Sequence, residues 1–224
     1  MRNYNIAIDG PAGAGKSTIA KSIAKKLEFI YVDTGAMYRA MALFMIKQNI
    51  DFDNKDDIEN ACDSVNVTIE YKSGEQQVIL NGENVTNLLR TEEVGKMASN
   101  VAKHNTVRSK MVVLQQNLAA KANVIMDGRD IGTVVLPKAD LKVYLTASSE
   151  ERALRRWREL TEKGISCNIK EIEQDIIDRD KQDMNREISP LKQADDAILL
   201  DSSNMSIDEV IDKIIELFKQ KCNE

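Results

Sequence analysis

The chain has 224 residues, 42% of them hydrophobic, with 36 acidic against 31 basic side chains and a formal net charge of -5. That length accommodates one α/β core with room for a small insertion, and the acidic balance argues against a nucleic-acid backbone or an anionic membrane as main partner. Cys62, Cys167 and Cys222 are far apart, odd in number and without Cys-x-x-Cys pairing, which argues against a disulfide framework or zinc site and predicts a reduced, cytoplasmic setting. With His104 as the single histidine, His-based metal sites and Ser-His-Asp chemistry are excluded. Neither a signal peptide nor an apolar run long enough for a bilayer is expected. The Asn-x-Ser/Thr triplets at Asn66, Asn84 and Asn204 are then chance matches.

Ile6-Ala7-Ile8 reads as a short apolar strand. Gly10-Pro11-Ala12-Gly13-Ala14-Gly15-Lys16-Ser17 follows as a complete Gly-x4-Gly-Lys-Ser loop, and Ile19, Ala20, Ile23, Ala24 and Leu27 recur at helical spacing after it. Free N–H groups at such a helix start, approached through a glycine-rich turn, form an anion cradle. Lys16 is placed to reach the β/γ-phosphates of a nucleoside triphosphate, and the Ser17 hydroxyl to hold Mg²⁺. A glycine-rich turn before an ordinary helix is the plainer alternative, and the strand–loop–helix context weighs against it.

Phe29-Ile30-Tyr31-Val32 is the second predicted strand, ending at Asp33-Thr34-Gly35. Ala36 to Ile46 is apolar almost all round, as in a helix packed inside the protein. Val65, Val67, Ile69 and Tyr71 then alternate with polar residues, Lys72-Ser73-Gly74-Glu75 turns the chain, and Val78 and Leu80 continue the alternation up to Asn81-Gly82, a strong hairpin signal. A helix carrying Val94, Met97, Ala98 and Val101 follows. This predicts a small antiparallel β plus helix insertion at about 60–103, between core segments 1–59 and 104–224. Val124-Ile125-Met126, Leu141 to Leu145 and Ala197 to Leu200 supply three more core strands. The last helix opens with a capping box, Ser206 with Glu209, and places Ile207, Val210, Ile211, Ile214, Ile215 and Phe218 on one face. The expected fold is α/β: a doubly wound five-stranded parallel sheet.

A phosphate loop alone does not separate kinase, GTPase and transport ATPase. The chain lacks an Asn-Lys-x-Asp guanine-reading motif and a Leu-Ser-Gly-Gly-Gln signature. It has instead four arginine groups suited to a second anion, since phosphoryl transfer between two anionic nucleotides needs charge neutralised on both sides. Arg39 lies six residues past Asp33; its alternative is a surface helix charge. Asp127-Gly128-Arg129-Asp130 follows a core strand, where ligand crevices open. There Asp127 can join a Mg²⁺ shell and Arg129 can face a phosphate, a salt-bridged turn being the competing reading. Arg179, Asp183 and Arg186 share one helical face that Pro190 ends; taken alone, a solvated ion-pair ladder with Asp175 is the better reading. Arg152, Arg155, Arg156 and Arg158 follow the Ser148–Glu151 capping signature in a region, about 148–166, expected to be either a mobile lid or an ordinary charged helix.

These motifs carry a resemblance. Asp33-Thr34-Gly35-Ala36-Met37-Tyr38-Arg39, Asp127-Gly128-Arg129-Asp130-Ile131-Gly132-Thr133-Val134-Val135, Arg179-Asp180 leading to Asp183-Met184-Asn185-Arg186, Ser148-Ser149-Glu150-Glu151-Arg152-Ala153 and Leu200-Asp201-Ser202 resemble bacterial-type cytidylate kinase. The likeness covers nearly the whole chain, inserted sheet included. It implies transfer of the ATP γ-phosphoryl group to CMP or dCMP with Mg²⁺ held at Ser17. Lys16, Arg129, Arg179 and Arg186 would then act on the transferred group, and Arg39 on the monophosphate. Loop residues Gly10 to Thr18, with Arg155, would hold ATP. Thr34 and Asp127 would line the acceptor site, Asp183 would hold the sugar hydroxyl, and Ser99, Arg108 and Asp130 would read the cytosine edge. Ser99 rests on the short Ala98-Ser99-Asn100-Val101-Ala102 context, a helix-face serine being its alternative. The rivals are a kinase for another small acceptor such as UMP, and an ATPase switch answering to a partner protein. Without a heptad run or a surplus amphipathic face, the chain is expected to be a monomer.

Overall fold

The computed structural model describes residues 2–52, 54–72 and 74–222. The chain runs β1 (Asn5–Asp9), α1 (Lys16–Leu27), β2 (Ile30–Asp33), α2 (Thr34–Lys47), α3 (Lys55–Ser64), β3 (Val67–Lys72), β4 (Glu75–Leu80), β5 (Glu83–Asn84), α4 (Glu92–Val101), α5 (Asn105–Ala119), β6 (Val124–Gly128), β7 (Leu141–Thr146), α6 (Ser149–Glu162), α7 (Ile169–Met184), β8 (Ile198–Asp201) and α8 (Ile207–Cys222). Five strands form a parallel sheet in the order β2-β6-β1-β7-β8, and three form an antiparallel sheet in the order β3-β4-β5. The α/β expectation and all five core strands hold. Helices α3 and α5 were not anticipated.

Period-two alternation splits the strands between two apolar layers. Ile6 and Ile8 of β1 and Ile125 of β6 face α1 and α8, packing with Ile19, Ile23, Ile211 and Ile214. Ala7, Val32, Val124 and Met126 face the other way, against Met37 and Met41 of α2 and Met111 of α5. Sandwiched strands have no wet face, which is why their sequences are apolar runs.

The antiparallel sheet does not stand apart. Val67, Val78, Leu80, Val94 and Val101 belong to the same apolar cluster as Ala7 and Met126. Polar ties join it to the end of β2: Gln76 Oε1 accepts the Asp33 N–H at 2.7 Å while its amide donates to the Asp33 carbonyl at 3.2 Å, and the Tyr71 hydroxyl donates to the Tyr31 carbonyl at 3.2 Å. The second hairpin turn falls on Asn81 (φ 49°) and Gly82 (φ 86°), both left-handed as a tight turn at this Asn-Gly step requires. Ser73, in the first predicted turn, lies outside the described residues.

Strand β1 pairs with β6 on one side and β7 on the other. From β1 the chain crosses to β2 beyond β6, and from β6 it crosses back over β1 to β7. The connections therefore diverge at the carboxyl end of β1, where an open α/β sheet leaves a crevice for ligands.

Candidate active site

The Gly-x4-Gly-Lys-Ser loop occupies that crevice. Gly10 has φ +148°, and a Cβ there would sit 1.9 Å from the Leu145 carbonyl oxygen of β7, so only glycine lets the loop leave β1 at this place. Gly15 caps α1 in a left-handed conformation with no side-chain hydrogen bond to the first helical N–H groups. Those donors, reinforced by the helix dipole, are available to an anion. Lys16 is buried, and its ammonium donates to the Pro11 carbonyl at 2.6 Å. Burial, then the neighbouring Arg129 guanidinium, push its pKa well below the usual lysine range. Thr18 is exposed on the first turn of α1.

Ser17 Oγ donates to Asp127 Oδ2 at 2.8 Å, and the Tyr31 hydroxyl donates to Asp127 Oδ1 at 2.8 Å. Burial and the nearby Asp33 carboxylate raise the Asp127 pKa. A hydroxyl and a carboxylate suit a hard cation such as Mg²⁺. No group of three or more His, Cys, Asp or Glu side chains placed for a metal occurs among the described residues. A cation here would complete its shell with phosphate oxygens and water, which is how Mg²⁺ is commonly held in phosphoryl-transfer sites. The Thr34 hydroxyl donates to the Asp127 carbonyl at 2.6 Å, joining the ends of β2 and β6.

Facing the loop is a set of arginines with too few counter-charges. Arg129 Nε donates to Asp183 Oδ2 at 2.7 Å; burial opposes its charge, and Asp183 outweighs burial and holds its pKa up. Arg186 lies 3.6 Å from the other Asp183 oxygen, with one guanidinium nitrogen buried and lacking a hydrogen bond. Arg179 Nε is likewise buried without a partner, and burial, then Arg129, push its pKa down to about 10. Burial also lowers Arg39, which Asp33 and Arg90 flank. Burial acts to raise the Asp183 carboxyl, but Arg129 and Arg186 prevail and hold it below its ordinary value. Buried guanidinium groups left short of acceptors are costly unless an anion completes them.

Arg108 and Asp130 form a buried ion pair, with Arg108 also donating to the Ala102 carbonyl at 3.3 Å and lying 5.6 Å from the Tyr38 ring centroid. Ser99 is half-buried on α4, one turn before Ala102, whose carbonyl Arg108 reaches.

Four sequence readings change. Arg186 is not on a helix face: α7 ends at Met184, and Arg186 reaches Asp183 from the following loop, where its Nε donates to the Asp183 carbonyl at 3.3 Å. No ion pair joins Arg179 to Asp175 among the described residues, so a solvated ladder is not what these residues build. Arg155 does not face the loop: it donates to the Ser202 carbonyl at 2.8 Å and to Glu151 at 3.0 Å. Arg152, read only as one of the lid arginines, is buried against the phosphate loop, donating to the Ala12 carbonyl at 2.8 Å. Asp9 was missed altogether. Its carboxylate accepts the Ile131 and Gly132 N–H groups at 2.8 and 2.7 Å, and burial raises its pKa to about 6. A charged residue closing an apolar strand directly before Gly10 was the available signal.

A family model of cytidylate kinases matches residues 6–220. The chain belongs to the cytidylate kinase family. Family relatives include the cytidylate kinases of Caldicellulosiruptor saccharolyticus, 51% identical over 97% of this chain and 96% of that protein, and of Bacillus cereus strain ATCC 10987, 50% identical over 96% of each. A solved structure of an uncharacterized protein from Eubacterium ventriosum aligns over 98% of this chain and 99% of that one, with a TM-score of 0.53 at 12% identity, a likeness of fold alone. Among the described residues, no helix is long and apolar enough to cross a membrane.

Proposed function

We propose that the chain transfers the γ-phosphoryl group of ATP to CMP or dCMP, giving ADP and CDP or dCDP. The observation that carries this reading is the facing pair of charge arrangements: a phosphate loop with Lys16, and across from it Arg39, Arg129, Arg179 and Arg186, of which Arg179 and Arg186 keep buried guanidinium nitrogens without a partner. A regulatory ATPase has no need of a second buried cationic pocket. An acceptor monophosphate supplies the missing anion.

ATP is held by Gly10 to Thr18, its phosphates on the loop N–H groups. Arg155, on α6 three residues past Arg152, would join the donor site by exchanging its Ser202 partner for ATP. Ser17, backed by Asp127, would hold Mg²⁺, which would supply neutralisation of the triphosphate's charge. Lys16, Arg129, Arg179 and Arg186 surround the transferred group, and their preset charges stabilise a loose transition state without reorganising at the moment of reaction. No covalent intermediate or histidine base is required. Asp183 accepts from the sugar hydroxyl while Thr34 and Arg39 border the acceptor phosphate.

The acceptor base is read by Ser99, Arg108 and Asp130. Cytosine offers an amino donor to Asp130 and a ring-nitrogen acceptor to Arg108. Uracil sets a carbonyl against the carboxylate, and an unpaired buried acceptor costs about 1–3 kcal/mol, roughly ten- to hundredfold. We assign the acceptor-gripping insertion to residues 60–103 and the core to 1–59 and 104–224, and read the chain as a cytoplasmic monomer with small nucleotides as partners and no nucleic acid or membrane.

A coupled ADP-release assay with Mg·ATP and CMP, dCMP, UMP, AMP, GMP or dTMP tests this. Turnover with CMP and dCMP, and little without acceptor, is expected. ADP release indifferent to acceptor would remove the kinase reading. Lys16→Ala is expected to abolish most turnover while leaving the thermal transition in place.

A further inference from the structure

Two successive peptide units of the phosphate loop, on either side of the Ala12 Cα, are held by one buried ion pair. The Ala12 N–H donates to Asp180 Oδ1 at 2.9 Å, and the Ala12 carbonyl accepts from Arg152 at 2.8 Å. The same Arg152 nitrogen donates to Asp180 Oδ2 at 2.5 Å, and its Nε donates to the Ala147 carbonyl at 2.9 Å. Both residues are buried, at 7% and 9% exposure. The grip needs close approach: a Cβ on Gly13 would lie 3.3 Å from the Arg152 Cβ.

These two residues come from α6 and α7, the antiparallel pair that carries the lid region. Asp180 immediately follows Arg179, whose guanidinium waits for an anion, and lies one turn before Asp183, which holds Arg129. The carboxyl-terminal part of α7 therefore touches the donor loop with one side chain and the acceptor cluster with its neighbours. A shift of α7 as an anion settles on Arg179 is felt at Ala12, because a buried bidentate carboxylate leaves little slack. The Ala12 N–H, taken by Asp180, is withheld from phosphate, so the clamp also decides which loop donors face the ligand.

We infer that Arg152 and Asp180 are positioning residues that fix the backbone on both sides of Ala12 and couple acceptor binding to the donor loop. The inference rests on the kinase reading. Neither residue touches the reacting atoms; each acts through the loop backbone.

The test uses the full chain with Asp180→Asn, Asp180→Glu, Arg152→Lys and the double variant Arg152→Gln/Asp180→Asn. ADP affinity is measured calorimetrically with and without CMP, alongside kcat, both KM values and the melting temperature. Asp180→Asn is expected to fold, to lose about tenfold or more in kcat as loop placement loosens, and to lose the gain in ADP affinity that CMP confers on the unaltered chain. Asp180→Glu should restore part of both, and the double variant should be no worse than the poorer single one. A lowered melting temperature with kcat and the ADP–CMP coupling intact would overturn the inference. So would additive losses in the double variant. Should Asp180→Asn not fold, Arg152→Lys decides, since it keeps the charge and loses the fork that reaches Ala12, Ala147 and Asp180 together. ADP binding without acceptor turnover in the unaltered chain would overturn the kinase reading instead, a result legible before any variant is made.

Discussion

Arg179 and Asp183 lie one helical turn apart and should respond to substitution in opposite senses. Arg179 keeps a buried donor without an acceptor and a pKa pushed down to about 10, so its charge costs stability in the nucleotide-free protein. Arg179→Met should raise unfolding free energy by about 1–3 kcal/mol, because it removes an unsatisfied buried group, while CMP turnover falls about a hundredfold or more. Asp183→Ala leaves Arg129 and Arg186 unpaired and should cost about 3 kcal/mol. Urea unfolding and steady-state kinetics on both variants check the contrast; two destabilised proteins would contradict it. Asp9 gives a pH prediction. Its folded pKa, about 6, is raised from 3.8, so the carboxyl favours folding most below about pH 4 and loses that advantage as pH rises through about 6. Relative to Asp9→Asn, the unaltered chain should lose about 3 kcal/mol over that window and then change no further. A pH-independent difference between the two unfolding curves would refute it.

At the level of elements, steric access separates two glycines with similar roles in the sequence. Gly10 joins β1 to the phosphate loop, and any Cβ there runs into the β7 backbone at 1.9 Å. A strand fixed on both sides cannot retreat, so Gly10→Ala should cost about 3 kcal/mol or more and distort nucleotide binding. Gly82, in the Asn81-Gly82 turn at φ 86°, has open space where a Cβ would stand, so Gly82→Ala carries only the left-handed backbone penalty, about 1 kcal/mol. Thermal melts of the two variants should differ accordingly; equal losses would mean that the β1–β7 contact is softer than its geometry indicates.

For the whole molecule, the ties already made limit what can move. Asp33 is held by Gln76 and by Arg90 at 2.7 Å, so the inserted sheet is fastened to the end of β2. The first turn of α6 and the last turns of α7 are pinned at Ala12. The exposed stretch between them, about 156–175, has few such anchors. Closure over two nucleotides should therefore be concentrated there, with the insertion following as a smaller movement, excluding water and suppressing ATP hydrolysis. Scattering with and without ADP plus CMP should give a smaller radius of gyration in the complex, and hydrogen exchange should slow most in 156–175. An unchanged shape, or protection confined to the insertion, would argue against this picture.

Chain-local physics made much of this protein readable from its amino acids. The Gly10–Ser17 loop is a contiguous motif between a strand and a helix, and the core strands are apolar runs because both sheet faces are covered. The Val67–Lys72 alternation and the Asn81-Gly82 step likewise specify a hairpin within a few residues. Helices α3 and α5 carry readable stripes as well, Ile58, Ala61 and Cys62 in one and Val107, Met111, Leu114 and Leu118 in the other, with Asp56, Asn60 and Asp63 on the exposed face of α3. Tertiary structure alone decided where the arginines point. Helical spacing places Arg152 and Arg155 side by side, but burial turned one onto Ala12 and left the other on Ser202. It also brought Asp9 to Gly132, 123 residues away. Direction and partner of a long charged side chain depend on which distant backbone groups are left to satisfy, a property of the assembled fold that no local window contains.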